Sequence, residues 1–147
     1  MIKMRFDTAR DEEQTRRMRE CQKNNICYLC NRIATKSLIT HEGKYWFIIE
    51  NDFPYKGSVH HYLIISKRHT TRTTDLSKNE WLEKIKMLKW LEKYLGVNGF
   101  SEFSRNGNMM YTHASLDHLH FHFLVGDKKQ NNSEKIKVTL GYKKMPR

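Results

Sequence analysis

The chain has 147 residues, of which 38% are hydrophobic and 12% aromatic, enough for one domain with a buried core. No apolar run reaches the roughly 18 residues that span a bilayer, so a membrane-spanning helix is not expected. The net charge of +11 attracts polyanions such as nucleotides, RNA or DNA. Because the basic residues are scattered, a solvated surface and a nucleic-acid-binding surface both stay open as interpretations.

The cysteines and the first residues bear on where the protein works. There are three cysteines, an odd number, and two of them form Cys27-x-x-Cys30, which argues against a disulfide scaffold. The first six residues run directly into charged sequence and do not resemble a secretory signal peptide. Both observations predict a protein of the reducing cytoplasm.

The N-terminal part of the chain predicts a helix and a cysteine motif. Residues 7–24 are polar and rich in helix formers, with Asp7 or Thr8 as the candidate N-cap. Their apolar face is thin, so a marginal surface helix and a partly disordered arm fit equally well. The motif from Cys27 to Cys30 commonly forms half of a zinc site, but alone it fits metal binding, redox chemistry or no function.

Several segments alternate as strands do. Aromatic and β-branched residues predict strands over residues 44–50, 59–66 and 100–105, and residues 134–140 are a further candidate. The first two are joined by a short, turn-rich connection and should pair antiparallel. The predicted fold class is α+β, with an antiparallel sheet of about five strands, one main helix packed on it and an N-terminal helix.

The main helix is predicted from its two ends. Ser77 and Glu80 form a capping box, and Gly96 is a natural C-terminal stop. Apolar residues recur between them at helical spacing, at Trp81, Ile85, Leu88, Leu91 and Leu95. This stripe predicts a packing face that covers the sheet and carries no chemistry.

The stretch of residues 117–125 is the most informative part of the sequence. It places His118, His120 and His122 at alternate positions, separated by large apolar residues. Since strand side chains alternate between faces, the imidazoles should share one face while the apolar residues anchor the other. Alternation on the upstream strand directs His61 toward the same space. Imidazole suits nucleophilic, acid–base and metal chemistry near neutral pH.

These residues resemble the signature of the histidine triad (HIT) family, in which histidines alternate with apolar residues on one strand. The approach over residues 112–117 and the upstream segment of residues 61–69, which ends in Lys-x-His, are similar to further motifs of that family. The resemblance covers residues 26–126. Outside it lie an N-terminal helical arm, residues 1–25, and a basic C-terminal extension, residues 127–147. The resemblance implies the same α+β architecture, a nucleotide substrate and a homodimer.

The resemblance also implies roles in catalysis. His120 would be the nucleophile that attacks the α-phosphorus and becomes transiently nucleotidylated. His122 and His61 would donate hydrogen bonds to phosphate oxygens, and Ser115 would contact the phosphate or the leaving group. Such a site needs no catalytic metal. The family's usual glutamine in this loop has no counterpart, since the nearest position is Ala114, and this predicts lower turnover or a changed substrate preference.

Four polar loop residues are candidates for nucleotide binding by the same resemblance. They are Asn106 and Asn108 for phosphate or ribose, and Asn51 and Asp52 for the ribose hydroxyls. Within each pair the alignment is ambiguous by one residue. A plain turn residue explains each of them equally well.

A zinc site is implied in the same way. Some bacterial HIT proteins hold one zinc ion with residues that correspond to Cys27, Cys30, His69 and His118, and all four are present here. A closed tetrahedral set of two cysteines and two histidines implies a structural role. The zinc would tie the N-terminal segment to the sheet beside the active site.

Three functions remain open from the sequence. The first is a nucleotide hydrolase or transferase that acts on a nucleoside phosphoramidate or a dinucleoside polyphosphate and releases a nucleoside monophosphate. The second is a HIT enzyme acting on adenylylated nucleic-acid ends, which the net charge of +11 favours. The third is a non-catalytic nucleotide-binding module, which only the missing glutamine favours.

Overall fold

The computed structural model describes residues 2–147, and Met1, the first residue of the predicted arm, lies outside them. Within these residues the helices are α1 (Glu12–Lys23), α2 (Tyr28–Ala34), α3 (Lys78–Leu95) and α4 (Met109–Thr112). The strands are β1 (Ile39–Glu42), β2 (Trp46–Glu50), β3 (His60–Ser66), β4 (Ser101–Ser104) and β5 (His120–Val125). They form one antiparallel sheet in the order β1-β2-β3-β5-β4, which confirms the predicted α+β class.

Helices cover both faces of the sheet, so the domain has three layers. On one face, α3 packs Met87 and Leu91 against sheet residues such as Ile64 and Phe123. On the other face, α1 and α2 pack on the remaining alternate sheet residues, including Leu63 and Ile65. The side chains of His61, His120 and His122 leave the sheet on this second face. The histidines therefore open toward the α1–α2 layer and not toward α3.

The N-terminal helix begins later than the sequence predicted, and it is docked. Asp11 is the N-cap in place of Asp7 or Thr8, and its carboxylate accepts a hydrogen bond from the amide of Gln14. Met18 is completely buried in the core beneath α1 and α2. Gln14 and Cys21 are buried on the same face, so the helix is docked although its apolar face is thin.

Helix α3 has the predicted ends and part of the predicted packing face. Ser77 and Glu80 form the capping box, and Gly96 ends the helix in the left-handed conformation with φ of 63°. Leu91 is buried and Leu88 and Leu95 pack against the core, as predicted. The prediction is wrong for Trp81 and Ile85, because both are exposed. The residues of α3 that are buried are Glu80, Lys84, Met87 and Leu91. The two charged ones are accommodated by ion pairs, Glu80 with Arg68 and Lys84 with Glu102.

The predicted further strand at residues 134–140 is wrong, because this segment forms no strand. Instead Ile136 and Val138 line a groove with Phe103 of β4, so the segment lies on the sheet face and does not pair with an edge. Its alternation reflects this one-sided contact. Among the helices described for residues 2–147, none combines the length and the hydropathy needed to cross a membrane.

The carboxylate of Glu83 fastens α3 to the turn between β1 and β2. It accepts hydrogen bonds from three consecutive amides, those of Lys44 at 2.8 Å, Tyr45 at 2.5 Å and Trp46 at 3.1 Å. The turn must approach closely, since a Cβ atom on Gly43 would lie 2.7 Å from Glu83 Oε2. These charge-assisted bonds should contribute measurably to stability because hydrogen bonds to charged groups are the stronger ones.

We therefore expect Glu83→Gln to lower the free energy of unfolding by about 2 kcal/mol, since an amide turns one donor toward the backbone donors. Urea unfolding followed by circular dichroism measures this change. The matched control is Glu92→Gln on the exposed side of the same helix, which should stay within about 0.5 kcal/mol of the wild type. Equal stability of the two variants would contradict the role given to Glu83.

Candidate active site and metal cluster

Pairing of β3 with β5 brings three of the predicted histidines together. Opposite His120 lies Ile65 and opposite His122 lies Leu63, so both imidazoles emerge on the same face as His61. His61 Nε2 and His122 Nδ1 are 2.8 Å apart. The first triad histidine behaves differently, since His118 precedes β5 and points away into a cluster with two cysteines.

The tautomer of His120 follows from its one backbone contact. Its Nδ1 lies 2.8 Å from the carbonyl oxygen of His118, and a carbonyl only accepts, so Nδ1 carries the proton. Nε2 is then left with its lone pair. Burial lowers the pKa of His120 to about 4, which keeps the ring neutral at physiological pH. A neutral imidazole with a free Nε2 is the form required of a nucleophile.

The tautomers of the other two histidines follow in the same way. The backbone amide of Tyr55 donates to His61 Nδ1 at 3.0 Å, so His61 is protonated on Nε2. That proton is donated to His122 Nδ1, which leaves His122 with its own proton on Nε2. Burial lowers the pKa of His61 to about 3 and that of His122 well below its ordinary value. His122 therefore presents an N–H donor beside the lone pair of His120.

A narrow cleft lies in front of these imidazoles, between the sheet and the α1–α2 layer. Of the residues predicted for the site, those that line it are His120, His122, Ser115, Asn51 and Asp52. Ala114 also lines it, at the position where the resemblance would place a glutamine. Three arginines that the sequence analysis did not single out line the cleft as well: Arg10, Arg32 and Arg105. The cleft is thus more basic than the predicted residues alone suggested.

Asn51 and Asp52 have different surroundings. The amide nitrogen of Asn51 lies against the ring of His61, 3.4 Å from Nδ1 and 3.2 Å from Nε2, and its Oδ1 accepts from the amide of Phe53 at 3.0 Å. Asp52 is paired with Arg32 at 2.5 Å. Both therefore have partners within the chain, and Asp52 keeps a carboxylate at the cleft.

Asn106 and Asn108 do not line the cleft. Asn106 Oδ1 accepts from the amide of Thr73 at 2.6 Å, and its amide group donates to Ser104. Asn108 caps α4 by accepting from the amide of Met110. Asn106 thus joins its turn to residue 73, and Asn108 supports the start of α4. Their part in nucleotide binding stays a prediction.

Ser115 is held by the N-terminal arm. Its hydroxyl lies 2.7 Å from the hydroxyl of Thr8, and its carbonyl oxygen accepts from the amide of Arg5. The N-terminal arm therefore supports the loop that carries Ser115. This contact joins distant segments, and no local sequence pattern predicts it.

The second cluster contains the four residues predicted to bind zinc: Cys27, Cys30, His69 and His118. Their ligand atoms all lie within 4.8 Å of one another. His118 Nδ1 is 3.5 Å from Cys27 Sγ and 3.3 Å from Cys30 Sγ, and His69 Nδ1 is 3.7 Å from Cys30 Sγ. A tetrahedral zinc ion with ordinary bond lengths separates sulfur and nitrogen ligands by about 3.6 Å.

The tautomer of His118 also fits a metal ligand. Its Nε2 is 2.7 Å from the carbonyl oxygen of Ser66, so Nε2 carries the proton and the Nδ1 lone pair faces the cysteines. A hydrogen bond from the non-ligating nitrogen to a carbonyl is the usual support of a metal-bound histidine. The residues present therefore fit a zinc ion.

Comparison with known proteins agrees with this geometry. A model of the family described as "Scavenger mRNA decapping enzyme C-term binding" matches residues 24–138, most of the chain. The chain belongs to this HIT-like family. The match reaches beyond residue 126, where the sequence resemblance ended. No curated protein matches the chain.

Solved structures show that the fold is that of HIT proteins. A histidine triad protein from Clostridium difficile is 22% identical over 73% of this chain and 96% of its own, with a TM-score of 0.55. A HIT family hydrolase from Clostridium thermocellum is 24% identical over 76% and 96%, with a TM-score of 0.53. A zinc-bound histidine triad family protein from Mycobacterium smegmatis is 18% identical over 78% and 81%, with a TM-score of 0.56.

We expect the purified HIT protein to contain about one zinc ion per chain, held by the four-residue cluster. Cys30→Ser should lose most of the metal and lower the unfolding temperature, because bound metal stabilises the folded state. Elemental analysis and thermal unfolding measure both effects. Cys21→Ala is the control, since Cys21 is the remaining cysteine and lies outside the cluster. A folded wild type without metal would refute the zinc assignment.

The low pKa of His61 predicts acid sensitivity. Its folded pKa of about 3 lies below the ordinary value of 6.5, so the unfolded chain binds the proton first. The stabilisation is complete above pH 6.5 and is lost as the pH falls toward 3. Between these values the free energy of unfolding should fall more steeply in the wild type than in His61→Asn, by up to about 1.4 kcal/mol per pH unit. Urea unfolding at several pH values measures the slopes, and parallel slopes would contradict the expectation.

Proposed function

We propose that the chain hydrolyses or transfers nucleotides through a covalent nucleotidyl-histidine formed on His120. The observation that carries this proposal is the hydrogen bond from His120 Nδ1 to the carbonyl oxygen of His118, which leaves the Nε2 lone pair for attack. Two similar structures, from Clostridium thermocellum and Legionella pneumophila, are of HIT family hydrolases, which supports a hydrolase in general terms. A nucleoside phosphoramidate and a dinucleoside polyphosphate are the substrate classes that we propose.

The chemistry has two steps. In the first, His120 Nε2 bonds to the α-phosphorus while the bond from phosphorus to the leaving group breaks, and the leaving group takes a proton from solvent. In the second, water attacks the same phosphorus and gives up one proton to solvent while the phosphorus–nitrogen bond breaks, and a nucleoside monophosphate is released. The N–H of His122 can donate a hydrogen bond to a phosphate oxygen or to the leaving group in both steps. No step requires a metal at the imidazoles.

The zinc ion has a structural role in this proposal. Its four protein ligands would complete a tetrahedral shell and leave no position open for substrate. Two ligands come from the start of α2 and two from the sheet side of the chain, so the ion would hold α2 against the strand that carries His120. His118 takes part twice, since its ring faces the cluster and its carbonyl oxygen orients His120.

A second candidate function is action on adenylylated nucleic-acid ends. It is favoured by the net charge of +11 and by the three arginines that line the cleft. The two functions share the attack by His120 and differ in the leaving group.

We also propose a homodimer in the cytoplasm, in which a second copy would cover the exposed apolar residues Trp81, Leu82 and Ile85 of α3.

The experiment is AMP release from adenosine phosphoramidates, dinucleoside polyphosphates and adenylylated DNA. We expect His120→Asn to lower release by more than about 10³-fold while zinc content and unfolding midpoint stay unchanged, because no other group can form the adduct. Rapid quench should trap an acid-labile adduct on the wild type. Replacing His60, which lies on the strand but outside the imidazole cluster, by Asn is the control and should leave turnover near normal. Turnover by His120→Asn, or an adduct on His61, would refute the proposal.

A further inference from the structure

Arg105 lies at the reacting end of the site because of strand register. In the pairing of β4 with β5, Phe103 lies opposite His122 and Ser104 opposite Phe121. Arg105 is the first residue after β4, and extending the same register by one residue would place it opposite His120. Since side chains alternate, Arg105 leaves the sheet on the same side as Phe103, whose ring stacks on His122 at 4.4 Å. The strand register therefore places the guanidinium group of Arg105 beside the imidazoles.

The guanidinium group is held on one side and free on another. Nη2 donates to the hydroxyl of Tyr55 at 3.1 Å and to the carbonyl oxygen of Thr139 at 2.7 Å. Nη1 lies 3.3 Å from His122 Nε2. Nε is buried and has no hydrogen-bond partner among the described residues. A buried donor without an acceptor is costly, so this arrangement is suited to a bound acceptor.

The contact between Arg105 and His122 is a contact of two donors. The amide of Tyr55 fixes the proton of His61 on Nε2, and this in turn places the proton of His122 on the nitrogen that faces Arg105. Neither N–H can accept the other. An anionic oxygen between them would satisfy both, and it would lie beside the Nε2 lone pair of His120.

The charge balance of the cleft singles out the same residue. Burial keeps the pKa values of His61 and His122 low, so these rings bring no positive charge at neutral pH. Arg32 is paired with Asp52, and Arg10 lies over the ring of Tyr55 at 4.3 Å. Arg105 is the arginine of the cleft that contacts an imidazole. The side chain of Ala114, which also lines the cleft, has no polar group.

We propose that Arg105 is a catalytic residue that binds a non-bridging oxygen of the α-phosphate together with the N–H of His122. This inference rests on the proposed function, since it names the group that stabilises the charge of that reaction. As the bond from His120 to phosphorus forms, negative charge on the phosphoryl oxygens lies against a fixed cation, and Arg105 itself gains and loses no bond or proton.

The kinetic test compares Arg105→Gln, Arg105→Lys and the wild type with the substrate that the wild type turns over best. Arg105→Gln should lower kcat by about 10²- to 10³-fold, the usual effect of removing one such donor. Arg105→Lys should recover part of the loss because it keeps the charge. Arg16→Gln removes the same charge from the exposed face of α1, where Arg16 pairs with Glu13, and should be near normal. Turnover of Arg105→Gln within about twofold of the wild type, with His120→Asn inactive, would overturn this inference and leave the proposed function intact.

A binding test decides the point without turnover. In the His120→Asn protein, adding Arg105→Gln should weaken AMP binding by about tenfold or more and leave adenosine binding unchanged, because only AMP carries the phosphate. Equal loss for both ligands, or no loss for AMP, would overturn the inference. Zinc content and unfolding midpoint identify a variant that is merely misfolded, and Arg105→Lys then replaces Arg105→Gln. Absence of turnover in the wild type would refute the proposed function, while the AMP and adenosine titrations would still decide the contact of Arg105 with phosphate.

Discussion

The arrangement of the site depends on the 2.8 Å hydrogen bond between His120 Nδ1 and the carbonyl oxygen of His118. A carbonyl oxygen cannot donate, so this bond decides which nitrogen of His120 is free. The same residue, His118, turns its ring toward Cys27 and Cys30. Whatever fixes His118 in its cluster also fixes the carbonyl that orients His120. The four-residue cluster and the imidazole of His120 thus share one residue, the cluster through the side chain of His118 and the imidazole through its backbone.

The remaining imidazoles are controlled by a relay that begins at the backbone amide of Tyr55. A backbone N–H can only donate, so it fixes the proton of His61 on Nε2, and His61 in turn fixes the proton of His122 on Nε2. Burial keeps these rings neutral, and Arg105 contributes the permanent charge beside them. The neutral imidazoles and the charged guanidinium group thus meet two requirements that one histidine could not meet at once. A nucleophile must be unprotonated, whereas a phosphate needs a positive partner.

The sequence predicts those parts of the structure that depend on local periodicity or on a family pattern. The alternation of β5, the meeting of His61 with His122 and the four-residue metal cluster are of this kind. Arg105 was missed because its position depends on which strand pairs with β5, a relation that one segment does not contain. With that register, the spacing from Phe103 to Arg105 would have indicated it.

The errors have equally specific causes. The first turns of the stripe on α3, Trp81 and Ile85, are wrong because Glu80 and Lys84, charged residues that a hydrophobic pattern leaves out, are buried there in ion pairs. Residues 134–140 alternate because they lie on a sheet face, and alternation alone does not distinguish this from strand pairing. The N-terminal helix was placed too early because Asp7, Thr8 and Asp11 are all acceptable caps, and tertiary contacts select the last.

The bond between Thr8 and Ser115 joins residues 107 positions apart, whereas the contact of Asn51 with His61 closes a loop of 10. Closing a loop about ten times longer costs roughly 2 kcal/mol more chain entropy. The β2–β3 hairpin can therefore form early in folding, while the loop that carries Ser115 is ordered only after the arm has docked. In the native protein the amides of this loop should exchange with solvent more readily than those of the sheet. One wall of the cleft therefore depends on contacts between distant segments, although it lies on a sheet whose centre is among the most buried parts of the molecule.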